Sequence, residues 1–128
     1  MNFKHIILFI ILFTLLPACG TSFGKKKVFG NLEVFYSESV SEKYAIEVGD
    51  YFVENDLVQD NPHSIKLTSN HNSFILKLIL DSKYKSLPKD KEIAFIALES
   101  DIKKSIFKEM NFKLEICDVN FYPLNLKN

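Results

Sequence analysis

The sequence predicts an α+β fold in which four strands and two helices follow one another in the order β-α-β-β-α-β. Four short segments carry an apolar residue at every second position, which is typical of strands that bury one face. Apolar residues at three- and four-residue spacing, typical of helices, separate the first segment from the second and the third from the fourth. A short polar turn joins the second segment to the third, which predicts a hairpin there.

The first predicted strand covers residues 32–37, and the first helix begins after Ser39 or Ser41, either of which can cap its amino end. The apolar positions at helical spacing are Tyr44, Ala45, Val48, Tyr51 and Phe52. Gly49 lies inside this helix, where glycine costs up to about 1 kcal/mol relative to alanine. We therefore expect a close contact between the helix and the sheet at Gly49.

The predicted hairpin consists of residues 64–69 and 73–81. The second helix begins at about Pro88, since proline is favoured at the first helical position. The apolar side of this helix contains Phe95, Leu98, Ile102 and Ile106. The last predicted strand covers residues 112–121, and a slip in its apolar alternation predicts a bulge or a strand end near Cys117.

Two strand-helix-strand units around a hairpin predict a ferredoxin-like fold, because a helix that joins two parallel strands of one sheet crosses over right-handedly. The expected architecture is a four-stranded antiparallel sheet with two helices on one face. The expected spatial order of the strands is 4-1-3-2, so the first and third strands lie side by side in the centre.

In that architecture, the sheet face turned away from the helices brings Phe35 of the first strand next to Ile75 and Ile79 of the third. Charged residues of the edge strands surround them, and apolar patches with polar rims often mark interaction sites. We therefore expect these three residues to bind a protein partner or a second copy of the chain. Two alternatives are that residues 122–128 cover the patch, or that the three are scattered exposed apolar side chains.

The amino end has the layout of a secretory signal peptide. Lys4 and His5 precede the apolar run Ile6–Leu16, and Ala18 supplies a small residue at a cleavage position. Eleven residues of helix cover roughly 16 Å, about half of a ~30 Å hydrocarbon core, which argues against a membrane-spanning helix.

Leu16-Pro17-Ala18-Cys19 resembles the lipobox of bacterial lipoproteins. The resemblance implies that the Cys19 thiol receives a diacylglyceryl group and that residues 1–18 are then removed. It predicts a lipid-anchored, extracytoplasmic protein of the bacterial cell envelope, whose partner through Cys19 is membrane lipid. The alternative is ordinary secretory cleavage beside an incidental cysteine. Residues 19–31 are then the lipidated cysteine and a flexible tether, and residues 32–128 are a single α+β domain.

A second resemblance concerns the domain itself. Three segments are similar to a domain of uncharacterised bacterial envelope and membrane proteins: VFYSESVSEKYAIEVGDYFVENDLV, SIKLTSNHNSFILKLIL and LEICDVNFYPL. The similarity covers about residues 32–126. It implies a domain and a location, and it implies no reaction and no catalytic residues.

Composition argues against nucleic-acid binding. All sixteen basic residues are lysine, so guanidinium groups for bidentate phosphate recognition are absent from the sequence. The formal net charge is +0 at pH 7, and the predicted open face carries no paired aromatic residues on which bases could stack.

The sequence also predicts no cofactor, no metal site and no catalytic residue. His63 and His71 bracket a predicted strand and would lie roughly 25 Å apart, too far to share an ion. Cys117, the only cysteine besides Cys19, has no histidine near it in sequence and is predicted to be structural. We expect a non-catalytic binding or structural module. The alternatives are an enzyme with an unrecognised site and a small inhibitor- or immunity-type lipoprotein.

Overall fold

The computed structural model describes residues 23–58, 60–80 and 86–124. In chain order the elements are β1 (Lys25–Phe29), β2 (Leu32–Tyr36), α1 (Glu42–Glu54), β3 (His63–Asn70), β4 (Ser73–Ile79), α2 (Lys89–Ile102) and β5 (Asn111–Cys117). A π-helical turn, Lys103–Phe107, continues α2 and is called the π turn below. The predictions on residues 1–22, including Cys19 and the lipobox, lie outside the described residues.

The strands form one mixed sheet in the sequential order β1-β2-β3-β4-β5. β1 pairs with β2 and β3 with β4 antiparallel, whereas β2 pairs with β3 and β4 with β5 in parallel. The predicted four-stranded antiparallel ferredoxin-like sheet is therefore wrong. Each helix returns the chain to the immediate neighbour of the strand it left, so no later strand is inserted between two earlier ones.

The two crossovers have opposite hands. Tyr51 of α1 donates a hydrogen bond to Asp101 of α2, so both helices lie on the same face of the sheet. The parallel pair β2/β3 runs opposite to the pair β4/β5, yet both crossovers step in the same direction along the sheet. One of them must therefore be left-handed, which about 2% of such connections are. The expectation that both crossovers are right-handed is wrong.

β1 is an edge strand that the sequence analysis assigned to the tether. It pairs with β2 from Lys25↔Tyr36 to Phe29↔Leu32, and Gly30 begins the turn with φ +61°, a conformation that suits glycine. The Lys27 ammonium forms an ion pair with the Glu42 carboxylate at the start of α1. Lysines are common on edge strands because they discourage pairing with other chains. The tether interpretation is thus wrong for the five residues of β1.

The core lies between the helices and one face of the sheet. Alternate residues of the strands point into it, and paired core positions such as Tyr36↔Leu67 and Leu67↔Leu76 run across the sheet. The predicted hairpin is confirmed, with a two-residue turn between Asn70 and Ser73. The most deeply buried side chains of this core are Leu32, Val34, Ala45, Val48, Leu67, Leu76, Ile102 and Phe107.

An aromatic group fills the core beneath the π turn. The Phe107 ring stacks on Phe112 with centroids 4.6 Å apart and planes at 6°, and it lies 4.8 Å from Phe74 and 5.6 Å from Tyr44. The Lys103 ammonium donates hydrogen bonds to the carbonyl oxygens of Lys108, at 3.0 Å, and Met110, at 2.8 Å. These bonds satisfy carbonyl groups beyond the last turn, where helical partners end.

The expected close contact at Gly49 is confirmed. A Cβ atom built on Gly49 would lie closer to the Phe29 ring of β1 than van der Waals contact allows. Gly49 is buried and its neighbours Val48 and Phe52 pack into the core, so the glycine lets α1 approach the edge of the sheet.

Replacing Gly49 by alanine is expected to lower the free energy of unfolding by about 1–3 kcal/mol, the usual cost of overpacking. This loss outweighs the gain of up to about 1 kcal/mol that alanine brings to a helix. Urea denaturation would measure it. In a Phe29→Ala background the same change should be neutral or stabilising, and an equal loss in both backgrounds would contradict the explanation.

Candidate functional site

We call the side of the sheet opposite the helices the open face. Because side chains alternate along a strand, every residue next to a core residue points to this face. Its members include Lys26 and Val28 of β1, Glu33 and Phe35 of β2, Ser64, Lys66 and Thr68 of β3, Ile75, Lys77 and Ile79 of β4, and Lys113, Glu115 and Cys117 of β5.

The three predicted contact residues all lie on the open face, but they do not form one patch. Phe35 is on β2, whereas Ile75 and Ile79 are on β4, and β3 lies between them. Two strand spacings amount to about 9–10 Å. Lys66 of β3 stands in register between Phe35 and Lys77, so a cation occupies the position where the sequence analysis expected apolar contact.

Phe35 packs instead against two residues from segments that flank the sheet. Its ring centroid lies 5.5 Å from that of Phe23 and 6.1 Å from that of Phe121, and Phe23 and Phe121 are 5.1 Å apart. All three pairs are edge-to-face, an arrangement that aromatic rings favour. We call these three rings the aromatic cluster. The aromatic cluster was not predicted, because Phe23 was assigned to the tether and Phe121 to the last strand.

The segment after β5 turns back over the open face and buries Phe121. The Asp118 carboxylate accepts hydrogen bonds from the backbone N–H groups of Asn120, at 2.9 Å, and Tyr122, at 3.0 Å. The Leu124 N–H donates to the Ile116 carbonyl at 3.0 Å. This turn confirms the strand end expected near Cys117. It also covers Phe35, which was the alternative to an exposed patch, although the covering residue is Phe121.

Lysines outnumber acidic residues on the open face by four to two. Lys26 pairs with Glu33 at 3.4 Å, and Lys77 pairs with Glu115 at 3.6 Å. Lys66 lies with its ammonium 5.9 Å from the Phe23 ring centroid, within the range of a cation–π contact. Lys113 is exposed. The open face therefore combines a partly covered aromatic centre with an excess of positive charge.

Charge differs in sign between the two layers of the fold. The five strands contain six lysines and two glutamates. The helices α1 and α2 contain eight acidic residues and three lysines. A chain with a net charge near zero thus has a basic sheet and an acidic helical layer.

Cys117 lies on the open face beneath the turn and is fully buried. Burial, with a smaller contribution from the Glu115 carboxylate, raises the pKa of its thiol to about 11. The thiol is therefore protonated near neutral pH, and a protonated thiol is a poor nucleophile.

A concavity between the two helices was not predicted. It is a groove of ≈ 740 Å³. Most of its lining is apolar and comes from Leu57, Leu78, Leu80, Leu87, Phe95, Leu98 and Ile116. A signal for it exists in the sequence, because Ala94 and Ala97 lie beside Phe95 and Leu98 on α2, and all four line the groove. Ile93 and Ile96 lie outside the groove and are 64% and 60% exposed.

One hydrogen bond crosses this groove, from the Tyr51 hydroxyl to the Asp101 carboxylate. Burial first, and the neighbouring carboxylate second, raise the pKa of Tyr51 to about 12. Tyr51 is therefore a neutral donor near neutral pH.

The raised pKa of Tyr51 predicts a loss of stability in alkali. The folded state holds the phenol proton up to a pH of about 12, whereas the unfolded chain releases it near 10. The stabilisation of the folded state that comes from this difference in pKa is complete below pH 10 and is lost as pH rises through 12. Denaturation curves at pH 9 and pH 11 should therefore differ more in the wild type than in Tyr51→Phe. An equal pH dependence of the two proteins would contradict this assignment.

The two histidines considered as metal ligands lie at opposite ends of β3, His63 at its start and His71 in the turn after it. In residues 23–58, 60–80 and 86–124, no three His, Cys, Asp or Glu side chains are grouped to hold a metal ion. Within the same ranges, no helix has the length and apolar character needed to cross a bilayer.

Comparison with known proteins identifies the domain. No curated protein and no solved structure matches the chain. A family model, AF_1994_N, described as a family N-terminal domain, matches residues 26–125. The match begins in β1 and includes the other four strands and both helices, so it starts earlier than the resemblance seen from residue 32. The chain therefore belongs to this uncharacterised domain family.

Proposed function

We propose that the chain is an exported bacterial lipoprotein, anchored through a lipid on Cys19, whose folded domain is a non-catalytic binding module that acts through the open face. The lipobox-like Leu16-Pro17-Ala18-Cys19 after an apolar run supports the anchor. The observation that carries the binding role is the open face itself. It is a sheet surface over which residues 23–58, 60–80 and 86–124 place no helix, with half-buried Ile75 and Ile79 beside charged side chains.

The groove between the helices supports the enzyme alternative less well. Its lining is mainly apolar, and its hydrogen-bonded Tyr51 is a neutral donor. An active site would be expected to combine a concavity with convergent groups of perturbed pKa that can take or give protons near neutral pH.

Metabolic labelling with radioactive palmitate in the native host tests the anchor. Wild-type protein is expected to carry the label and to partition with detergent. Cys19→Ser should carry none, because the acceptor thiol is gone. Cys117→Ser is the matched control, since it removes the only other cysteine, and it should be labelled like the wild type. An unlabelled wild type would overturn the proposal.

Site-specific photocrosslinking in the host tests the binding surface. A photoreactive residue at Ile75, on the open face, is expected to give crosslinked products. The same residue at Ile96, which is exposed on α2, serves as the control and should give none. Products formed at Ile96 and not at Ile75 would contradict the assignment of the open face as the contact surface.

A further inference from the structure

We infer that the open face docks on the anionic headgroups of the same membrane that holds the lipid anchor. This inference rests on the proposed lipidation of Cys19. It goes beyond it by naming the partner of the open face and by fixing the orientation of the domain on the membrane.

The lipid anchor and the open face are joined by a very short segment of chain. Only residues 20–22 separate Cys19 from Phe23, and a chain of that length spans at most about 14 Å when fully extended. Phe23 is fixed on the open face by its contacts with Phe35 and Phe121. A lipid on Cys19 therefore holds this particular side of the domain close to the bilayer surface.

The open face also carries a charge opposite to that of an anionic membrane surface. Two of the four lysines on the open face are paired with glutamates. This leaves Lys66 and Lys113 as its charge excess, against the single carboxylate of Asp118 in the covering turn. Lysines close to an anionic leaflet attract its headgroups, and each one strengthens binding about fivefold. The helical layer has eight acidic residues against three lysines in α1 and α2 and two more in the π turn, so the same surface would repel it. The two layers thus favour one orientation.

An exposed apolar side chain also lies on the open face, close in sequence to Phe23. Val28 points to the open face from the edge strand β1 and is 60% exposed. It lies on the strand that begins two residues after Phe23. Exposed apolar side chains beside lysines suit the boundary between headgroups and acyl chains, where apolar groups gain burial and cations stay hydrated.

The absence of tryptophan from the sequence permits a direct test. Val28→Trp places one fluorophore on the open face, and Ile93→Trp places one on the helical layer at a similarly exposed position. Each variant is prepared as the full lipidated protein and reconstituted in vesicles of phosphatidylglycerol and brominated phosphatidylcholine. We expect bromine to quench Val28→Trp and to leave Ile93→Trp close to its unquenched intensity. Equal quenching of the two would overturn the inference.

Charge variants test the cause of docking. In the Val28→Trp background, Lys66→Glu with Lys113→Glu should lower the ratio of docked to undocked protein by about 25-fold or more. Lys89→Glu with Lys104→Glu makes the same charge change outside the open face and should have little effect. Vesicles without phosphatidylglycerol, or about 1 M salt with its Debye length of ~3 Å, should also reduce the quenching. If quenching is unchanged in the Lys66/Lys113 variant, without phosphatidylglycerol and at high salt, docking is not electrostatic and the inference is overturned.

Failure of this inference can be told apart from failure of the proposed function. Protein that floats with vesicles at high salt is anchored by lipid, whatever its quenching. If it floats and Val28→Trp stays unquenched, the anchor is correct and the open face is left to a protein partner. If it does not float and incorporates no palmitate, the lipidation itself is wrong.

Discussion

Replacing Phe107 by alanine is expected to lower the free energy of unfolding by about 3–5 kcal/mol, the range typical of buried phenylalanines. Phe107 is 0% exposed, and its ring contacts three other aromatic rings between the helical layer and the sheet. Collapse around the cavity is limited, because Phe112 and Phe74 are held by paired strands. Since small domains are stable by only about 5–15 kcal/mol, much of the stability would be lost.

Chemical denaturation monitored by circular dichroism would measure this loss. Phe95→Ala is the matched control, because Phe95 is a half-buried phenylalanine on the preceding helix α2. Phe95→Ala should lower the free energy of unfolding by less than half as much as Phe107→Ala. A loss below about 1 kcal/mol for Phe107→Ala would contradict the packing described around the π turn.

Replacing Phe121 by alanine is expected to make the Cys117 thiol react at least about tenfold faster with a maleimide, because local opening of the covering turn becomes more frequent. Phe121 is only 4% exposed and fastens the turn to Phe23 and Phe35. The Lys77 ammonium also donates to its carbonyl oxygen at 3.2 Å. In the wild type, Cys117 is fully buried and should react slowly.

Tyr122→Ala is the control for this experiment, because Tyr122 lies next in the chain and is 67% exposed. In Tyr122→Ala, the Cys117 thiol should react at the wild-type rate. The pKa of the Cys117 thiol should also fall in Phe121→Ala, from about 11 towards the ordinary value of 9. Equal reactivity in Phe121→Ala and Tyr122→Ala would show that the turn does not protect the thiol.

The elements that depend on local sequence were predictable. The β3/β4 hairpin and the helices α1 and α2 follow from turn residues and apolar spacing, which act within a few residues of the chain. Gly49 was also predictable as a close-contact position, although not its neighbour Phe29. Phe29 belongs to β1, which was not recognised as a strand because it begins with three lysines. An edge strand can contain them, since only every second side chain of a strand points towards the core.

The order of the strands was not predictable from the same signals. Ile65 and Leu67 of β3 would face the core beside either of the two possible neighbours, since alternation specifies a face and says nothing of the adjacent strand. The right-handed crossover rule favoured the order 4-1-3-2, which satisfies it twice. The observed order contains one left-handed crossover, an exception that apolar patterns do not encode.

The wrong strand order explains why the candidate site residues were placed on the correct face but were wrongly expected to be neighbours. Phe35, Ile75 and Ile79 were placed on the correct face, because alternation decides the face. Their expected adjacency depended on the strand order and was wrong. The aromatic cluster requires Phe23 and Phe121 to fold back from outside the sheet, and such contacts between distant segments leave no periodic signal in a sequence.

The sequential strand order also bears on how the polypeptide acquires its structure. Each strand finds its partner in the strand made just before it, so the sheet can extend at one edge as the chain appears amino end first. No strand has to be inserted later between two strands that were made earlier. Contacts between segments close in sequence favour rapid folding. They also shorten the time during which an incomplete sheet exposes an unpaired, aggregation-prone edge to other chains.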